Sequence, residues 1–193
     1  MMPAPIEPDF FKMAEATDEK QIMNIDEVKD VLCYKDGRSG KYELSYRGIK
    51  TLVLEMAAKG FPLEIVTVES ELMGDGEEKT WYCTIKLRNQ TTKLETLGDA
   101  EQPYYENNGK YPPTFVKPLV KDSFAKRKAF SKAERNASKK QLPEPMIVHL
   151  INRATAQGQA RQLDPNPRCS CPNDIRIKLP PTNGKCPNCD RIR

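Results

Sequence analysis

Four cysteines near the end of the sequence have the spacing of metal ligands. Cys186 and Cys189 form a Cys-x-x-Cys pair with Pro and Asn between them, and Cys169 and Cys171 form a tighter Cys-x-Cys pair upstream. Four thiolates suit a tetrahedral zinc ion, and the separation of the two pairs matches that of a zinc ribbon. A disulfide or redox role is the alternative, which an intracellular location disfavours. The pattern predicts a structural zinc site without an open position for catalysis.

A second pattern is a run of cations between residues 121 and 140, where eight Lys and Arg residues are opposed only by Asp122 and Glu134. Alanines recur there at every fourth position and share one stripe of a helix: Ala125, Ala129, Ala133 and Ala137. Cations form a neighbouring stripe at steps of four, three and four residues: Lys128, Lys132, Arg135 and Lys139. The alanine stripe is therefore expected to pack closely, while the cation stripe presents charge.

A row of cations about 5–6 Å apart suits a sugar–phosphate backbone, because each phosphate that is neutralised releases counterions. The distribution of charge agrees with such a partner. Residues 1–102 contain 13 basic and 20 acidic side chains, whereas residues 103–193 contain 18 basic and 7 acidic ones. This asymmetry favours contact between the second half of the chain and an anion. The alternative is a solvated surface helix that binds nothing in particular.

Several function classes lack support in the sequence. No apolar run approaches the ~18–20 residues of a membrane span, and the first residues lack the basic flank and apolar stretch of a signal peptide. There is no phosphate loop, nucleophile elbow or HExxH motif. The single histidine, His149, lies in an apolar helical pattern and is expected to be partly buried. We therefore expect a soluble, intracellular binding protein that is not an enzyme.

The remaining segments predict strands and helices in a fixed order. Two short strands flank the turn KDGRSG, and a helix with Ser45 as its N-cap begins at Tyr46. Three strand candidates follow, and Gly98-Asp99-Ala100 is expected to form a turn. The long basic helix is expected to begin between residues 116 and 122 and to end near Leu142, and a shorter helix begins after Pro145.

These segments divide the chain into four parts. Residues 1–26 are predicted to be an acidic flexible arm, within which residues 10–25 form either a short helix or part of the arm, and residues 27–157 the core. Residues 158–167 are a polar linker with Gly and Pro. Residues 168–193 hold the four spaced cysteines. Cys33 and Cys83 lie in predicted strands and are expected to be buried.

The segment SKAERNA at residues 131–137, followed by Lys139 and then Leu142-Pro143, resembles a segment of single-strand annealing proteins. These include the Rad-fifty-two-like annealing and recombination proteins of phages, plasmids and archaea. The order of the upstream segments is also similar, and the resemblance covers roughly residues 28–154. Two departures are Ser138, where an aliphatic residue is usual, and Glu134, which places an acid beside the cation stripe.

The resemblance implies an α+β fold. It would be a β-β-α-β-β-β-α annealing core, with an antiparallel sheet packed on the long basic helix, followed by the small zinc-ribbon module. It implies ring or filament homo-oligomers that bind single-stranded DNA in a basic groove and anneal complementary strands in recombination and repair, without ATP. Such a protein would act on DNA in the cytoplasm of a prokaryotic, archaeal or viral host cell.

The resemblance also suggests which cations contact the DNA backbone. The matching positions are Lys132, Arg135 and Lys139, and two further cations lie one turn earlier, at Arg127 and Lys128. Cations from the first helix and the hairpin would form the opposite wall of the groove: Arg47, Lys50, Lys35, Arg38 and Lys41.

Two other functions are open on the sequence alone. A zinc-ribbon nucleic-acid-binding or adaptor protein would make its contacts through the basic tail, to DNA or to a replication or recombination protein. A metal-dependent nuclease would use acids that are close in sequence: Glu95, Asp99 and Glu101.

Overall fold

The computed structural model describes residues 10–37, 39–107 and 119–163. These residues form helices and mainly antiparallel sheets, which confirms the predicted α+β class. None of the described helices is long and apolar enough to cross a membrane. In chain order the elements are α1 (Phe10–Ile22), β1 (Cys33–Asp36), β2 (Tyr42–Leu44), α2 (Tyr46–Ala58), β3 (Leu63–Met73), β4 (Thr80–Asn89), β5 (Glu95–Pro103), β6 (Tyr105–Asn107), β7 (Leu119–Lys121), α3 (Ala125–Lys139), α4 (Glu144–Ala156) and β8 (Ala160–Leu163).

One layer is an antiparallel sheet in the order β3-β4-β5, with α3 packed on one face. Alternation in β4 determines that face, because successive side chains of a strand point to opposite sides. Cys83, Ile85 and Leu87 are buried beneath α3, as their spacing predicts. The four alanines of α3 are fully buried, so the predicted packing stripe is confirmed.

Gly98 explains how closely α3 approaches the sheet. The prediction of a turn at residues 98–100 is wrong, because these residues lie inside β5 and pair with β4. A Cβ atom on Gly98 would lie 2.2 Å from the carbonyl oxygen of Ala133 and 2.3 Å from the backbone nitrogen of Ala137. Glycine is therefore required where the backbones of helix and strand meet.

A second layer contains the sheet β2-β1-β8 and the helices α2 and α4. Ser45 caps α2 as predicted, because its side chain accepts a hydrogen bond from the Gly48 N–H. Residues 160–163 were expected to belong to a linker, but they form β8, which pairs in parallel with β1. Leu163 is buried at this position, and its burial favours strand over linker.

In the N-terminal segment, the helix is the alternative that the structure has. Residues 10–22 form α1, which packs against α2, α3 and β8. A small apolar cluster holds the helix, in which Ala14, Tyr34 and Leu163 are buried and Phe10 and Met13 pack against them. Residues 1–9 lie outside the described part of the chain.

Candidate nucleic-acid interface

The cation stripe of α3 faces the acidic side of α1. Lys132 is only 3 % exposed, and its Nζ lies 2.7 Å from a carboxylate oxygen of Glu19 and 2.8 Å from one of Glu15. It also donates a hydrogen bond of 2.6 Å to the Gln102 side chain on β5. One turn earlier, the Lys128 Nζ lies 2.8 Å from Asp122 and 3.5 Å from Glu19. These two lysines are therefore neutralised within the molecule.

The rest of the stripe is paired in the same way. Arg135 forms an ion pair with Asp18 of α1, and Lys139 forms one with Glu43 of β2. Glu134, the acid beside the stripe, lies 2.6 Å from the Nζ of Lys50 on α2. Each of the four cations of the stripe thus has an acidic partner from another part of the chain.

Asp18 is the most enclosed of these acids, at 2 % exposure. Its carboxylate accepts hydrogen bonds from the Tyr34 hydroxyl at 2.6 Å and from the Tyr46 N–H at 2.8 Å, in addition to its pairing with Arg135. Burial raises the pKa of Asp18, although the Arg135 guanidinium opposes the shift. Burial and the neighbouring Asp18 carboxylate also raise the pKa of Tyr34.

Side chains of α1 also cap the N-terminus of α2. Tyr46 and Arg47 are the first two residues of α2, and their N–H groups have no partner within the helix. The Asp18 carboxylate accepts a hydrogen bond from the Tyr46 N–H. The Gln21 side chain accepts one from the Arg47 N–H at 3.1 Å. A carboxylate is favourable at this position because the N-terminus of a helix carries partial positive charge.

An open cleft lies beyond the C-terminal end of α1, where α2 approaches α3. It has a volume of about 470 Å³. Three cations line it, Arg47, Lys50 and Arg127. None of its lining residues is Asp or Glu. Arg127 is exposed and has no acidic partner among the described residues. The Arg47 guanidinium donates to the Asn24 side chain at 3.2 Å, and Lys50 lies 5.8 Å from the centre of the Tyr46 ring.

The hairpin cations Lys35 and Lys41 are not among the residues that line this cleft. The Lys35 Nζ lies over the Tyr42 ring at 5.7 Å within the β1–β2 hairpin, and Lys41 is exposed. Arg38 lies outside the described residues. The hairpin side chain that reaches α3 is the acid Glu43, through Lys139.

The residues that sequence reasoning missed are the three acids of α1. Glu15, Asp18 and Glu19 are spaced by three and one residues, and such spacing places them on one side of a helix. That spacing is visible in the sequence, and its match to the cation stripe was the available signal. Only the tertiary structure brings the two sides together, across more than a hundred residues of chain.

The acids proposed for a nuclease are arranged differently from a metal site. Arg88 lies 2.7 Å from Glu95, and its hydrogen bonds lower the pKa of that carboxyl. Asp99 and Glu101 are exposed on β5. Among the described residues, no group of three or more His, Cys, Asp or Glu side chains is placed to hold a metal ion. His149 is exposed on α4, so the prediction of partial burial is wrong.

The cysteines fall into two groups. Cys33 and Cys83 are buried free thiols, as expected, and burial raises the pKa of both. The predicted zinc ligands Cys169, Cys171, Cys186 and Cys189 lie outside the described residues, and so does the rest of the predicted ribbon at 168–193.

No protein-family model, curated protein or solved structure matches this chain. Its function is therefore inferred from the geometry of the site and from the residues of the SKAERNA segment.

Proposed function

We propose that this protein binds single-stranded DNA along the surface formed by α2 and α3 and promotes annealing of complementary strands as a homo-oligomer, without ATP. The observation that carries the proposal is the cleft in which Arg47, Lys50 and Arg127 meet with no carboxylate in its lining. Cations from two helices around one cleft suit a phosphate. Lys50 is also paired with Glu134, so Arg47 and Arg127 are the cations of the cleft without an acidic partner among the described residues.

The chemistry of the cleft favours the backbone of a strand over its bases. Proteins that hold the bases of single strands stack them on aromatic side chains. The cleft lining contains one aromatic residue, Tyr46, against three cations. A strand held by its phosphates keeps its bases available for pairing with a complement, which is the requirement for annealing.

The annealing activity and the oligomer rest on the resemblance. The SKAERNA residues lie on α3, which packs on the sheet of β3, β4 and β5 and follows it in the chain after the short strands β6 and β7. Two of the residues proposed for backbone contact, Lys132 and Arg135, are in this segment and lie on the cation stripe. The proposal therefore assigns the cleft and the stripe to one continuous path for the strand.

The C-terminal tail is proposed to be a zinc ribbon. Four thiolates are a donor set that fits tetrahedral zinc, and such a site contributes to folding rather than to catalysis. The tail would be held by Cys169, Cys171, Cys186 and Cys189. Its basic residues would contact DNA or a replication or recombination protein.

Binding of a labelled poly-dT strand, measured by fluorescence anisotropy across a range of salt concentrations, tests the proposal. The variant R47Q/K50Q/R127Q should bind more weakly than the wild type. The slope of log affinity against log salt should also become shallower by ~0.7 for each phosphate that the variant no longer neutralises. The matched control is Lys59→Gln, because Lys59 is exposed at the other end of α2, ~18 Å along the helix from Arg47.

The control should retain the affinity and the slope of the wild type. If the triple variant behaves like Lys59→Gln, the cleft does not hold the strand. If the wild-type protein ignores the strand even at low salt, the proposed function fails altogether.

A further inference from the structure

We propose that α1 is an internal competitor of the DNA strand: its carboxylates pair with three of the four cations of the stripe, Lys128, Lys132 and Arg135, which accept phosphates only when α1 is displaced. This inference rests on the proposed function, and it adds a regulatory contact to the same site. It divides the surface into an open part, the cleft, and a covered part, the stripe.

The match between the two helices is the first argument. Glu15, Asp18 and Glu19 of α1 face Lys132, Arg135 and Lys128 of α3. The acids thus present negative charge along the side of α3 that a strand would follow. A phosphate backbone offers the same sign of charge to the same cations, so the two occupants exclude each other.

The environment of Asp18 is the second argument. Its carboxylate is held by a guanidinium, a tyrosine hydroxyl and the first N–H of α2. Charge-assisted donors together with the N-terminus of a helix are the groups that bind phosphate in proteins. The donors that bind the Asp18 carboxylate would therefore also suit a phosphate once α1 is displaced.

The way α1 is attached makes exchange feasible. Its apolar contribution is small: Ala14 and Ile22 are buried, Phe10 and Met13 are partly buried against the cluster of Tyr34 and Leu163, and Phe11 is 66 % exposed. Most of its other contacts are ion pairs and hydrogen bonds. Removing an acid alone would leave buried cations without a partner, which is costly. A phosphate that replaces the acid keeps those cations paired, so the strand lowers the cost of displacement.

The position of the open cleft provides a route for this exchange. Gln21, Ile22 and Asn24, at and just beyond the C-terminal end of α1, line the cleft together with its three cations. A strand bound there lies beside the end of α1. Further phosphates of the same strand then compete with Asp18 and Glu19 at high effective concentration.

Substitution of the acids in the full-length protein tests the competition. The variant E15Q/E19Q removes two partners of Lys132 without changing the shape of the side chains. It should bind poly-dT roughly tenfold more tightly than the wild type, or about 1.4 kcal/mol, since a phosphate would then replace the lost partners of the buried Lys132. Its salt dependence should be steeper, because Lys132 now contacts phosphate.

The matched control is E69Q/E71Q. Both acids are exposed on β3, and the double substitution changes the net charge by the same amount. If the control binds as tightly as E15Q/E19Q, the gain comes from net charge alone and the inference is overturned. If the wild type binds through the cleft and E15Q/E19Q binds no better, the inference fails while the proposed function stands.

Hydrogen exchange of the wild-type protein, with and without poly-dT, gives a readout that does not depend on whether a variant folds. Displacement predicts faster exchange of the amides in residues 10–22 when the strand is bound. Unchanged or slower exchange there, in a protein that has bound the strand, overturns the inference. Absence of strand binding by the wild type and by both variants at low salt would instead remove the proposed function.

Discussion

Lys132 is expected to stabilise the fold through its buried polar contacts. It is almost fully buried and contacts two carboxylates and one amide oxygen. The substitution Lys132→Gln removes the cation that these groups share and should lower the free energy of unfolding by about 1–3 kcal/mol. The partial exposure of Glu15 and Glu19 keeps the loss below that of a fully buried pair.

Urea unfolding of the variant measures this loss. Arg127→Gln is the control, because it removes one positive charge from the exposed side of the same helix and should change stability by no more than about 0.5 kcal/mol. Equal losses in the two variants would show that the contacts of Lys132 do not stabilise the fold.

Asp18 gives a prediction about pH. Burial raises its pKa above the ordinary value of 3.8, so the folded protein holds this proton more tightly than the unfolded chain. The contribution of Asp18 to stability is therefore greatest below pH 3.8 and declines as the pH rises through the raised folded pKa.

Melting curves of the wild type and of Asp18→Asn, recorded from about pH 3 upward, test the sign. The stability of the wild type relative to the variant should fall as the pH rises through this window. A relative gain over the same window would mean that pairing with Arg135 outweighs burial.

At the scale of elements, the contact between α3 and β5 depends on Gly98. Gly98→Ala places a Cβ atom against the backbone of α3 and should destabilise the fold by about 1–3 kcal/mol, because the helix must move away from the sheet. Asp99→Ala is the control, since Asp99 is exposed on the same strand. Differential scanning calorimetry should show a lower melting temperature for the glycine variant alone.

The elements that the sequence predicts well are those with local patterns. The alanine stripe of α3, the cap at Ser45 and the alternation in β4 each follow from the periodicity of a single element. The strand at residues 160–163 and the role of Gly98 depend on partners far away in sequence. No local pattern identifies such partners, so the sequence predicts a linker at β8 and a turn at Gly98.

In the candidate site too, local patterns could be predicted from the sequence and contacts between distant residues could not. The cation stripe could be predicted from its spacing on α3, and Arg47 and Lys50 from the resemblance. Its coverage by α1 could not, because the pairing of Arg135 with Asp18 joins residues that are 117 positions apart in the chain. Arg127 is the predicted cation of α3 that remains exposed beside the open cleft.

For the whole molecule, ion pairs within the protein account for part of the uneven distribution of charge along the sequence. Acids from the first half of the chain pair with cations from the second half, as Glu19 does with Lys132 and Glu43 with Lys139. Counting charges along the sequence therefore overstates the positive surface that a partner would meet. The cations of the cleft are a better guide to that surface.

The predicted zinc ribbon can be tested in the full-length protein. Mass spectrometry under native conditions should find one zinc ion per chain, and a chelator should remove it. The melting transition of the core should remain, because the described residues form apolar core clusters of their own.

Removal of zinc with a chelator also distinguishes strand binding in the cleft from strand binding by the tail. Chelation should weaken binding of poly-dT only modestly if the cleft holds the strand. Complete loss of binding would favour the zinc-ribbon alternative, in which the tail makes the contacts.

The most direct test of the central claim is the pairing of two complementary labelled strands, followed by fluorescence energy transfer, with the full-length protein and neither ATP nor divalent metal. The proposed function predicts that pairing is faster than in the absence of protein and that R47Q/K50Q/R127Q loses most of the acceleration while Lys59→Gln keeps it. A wild-type protein that leaves the rate of pairing unchanged would contradict the claim.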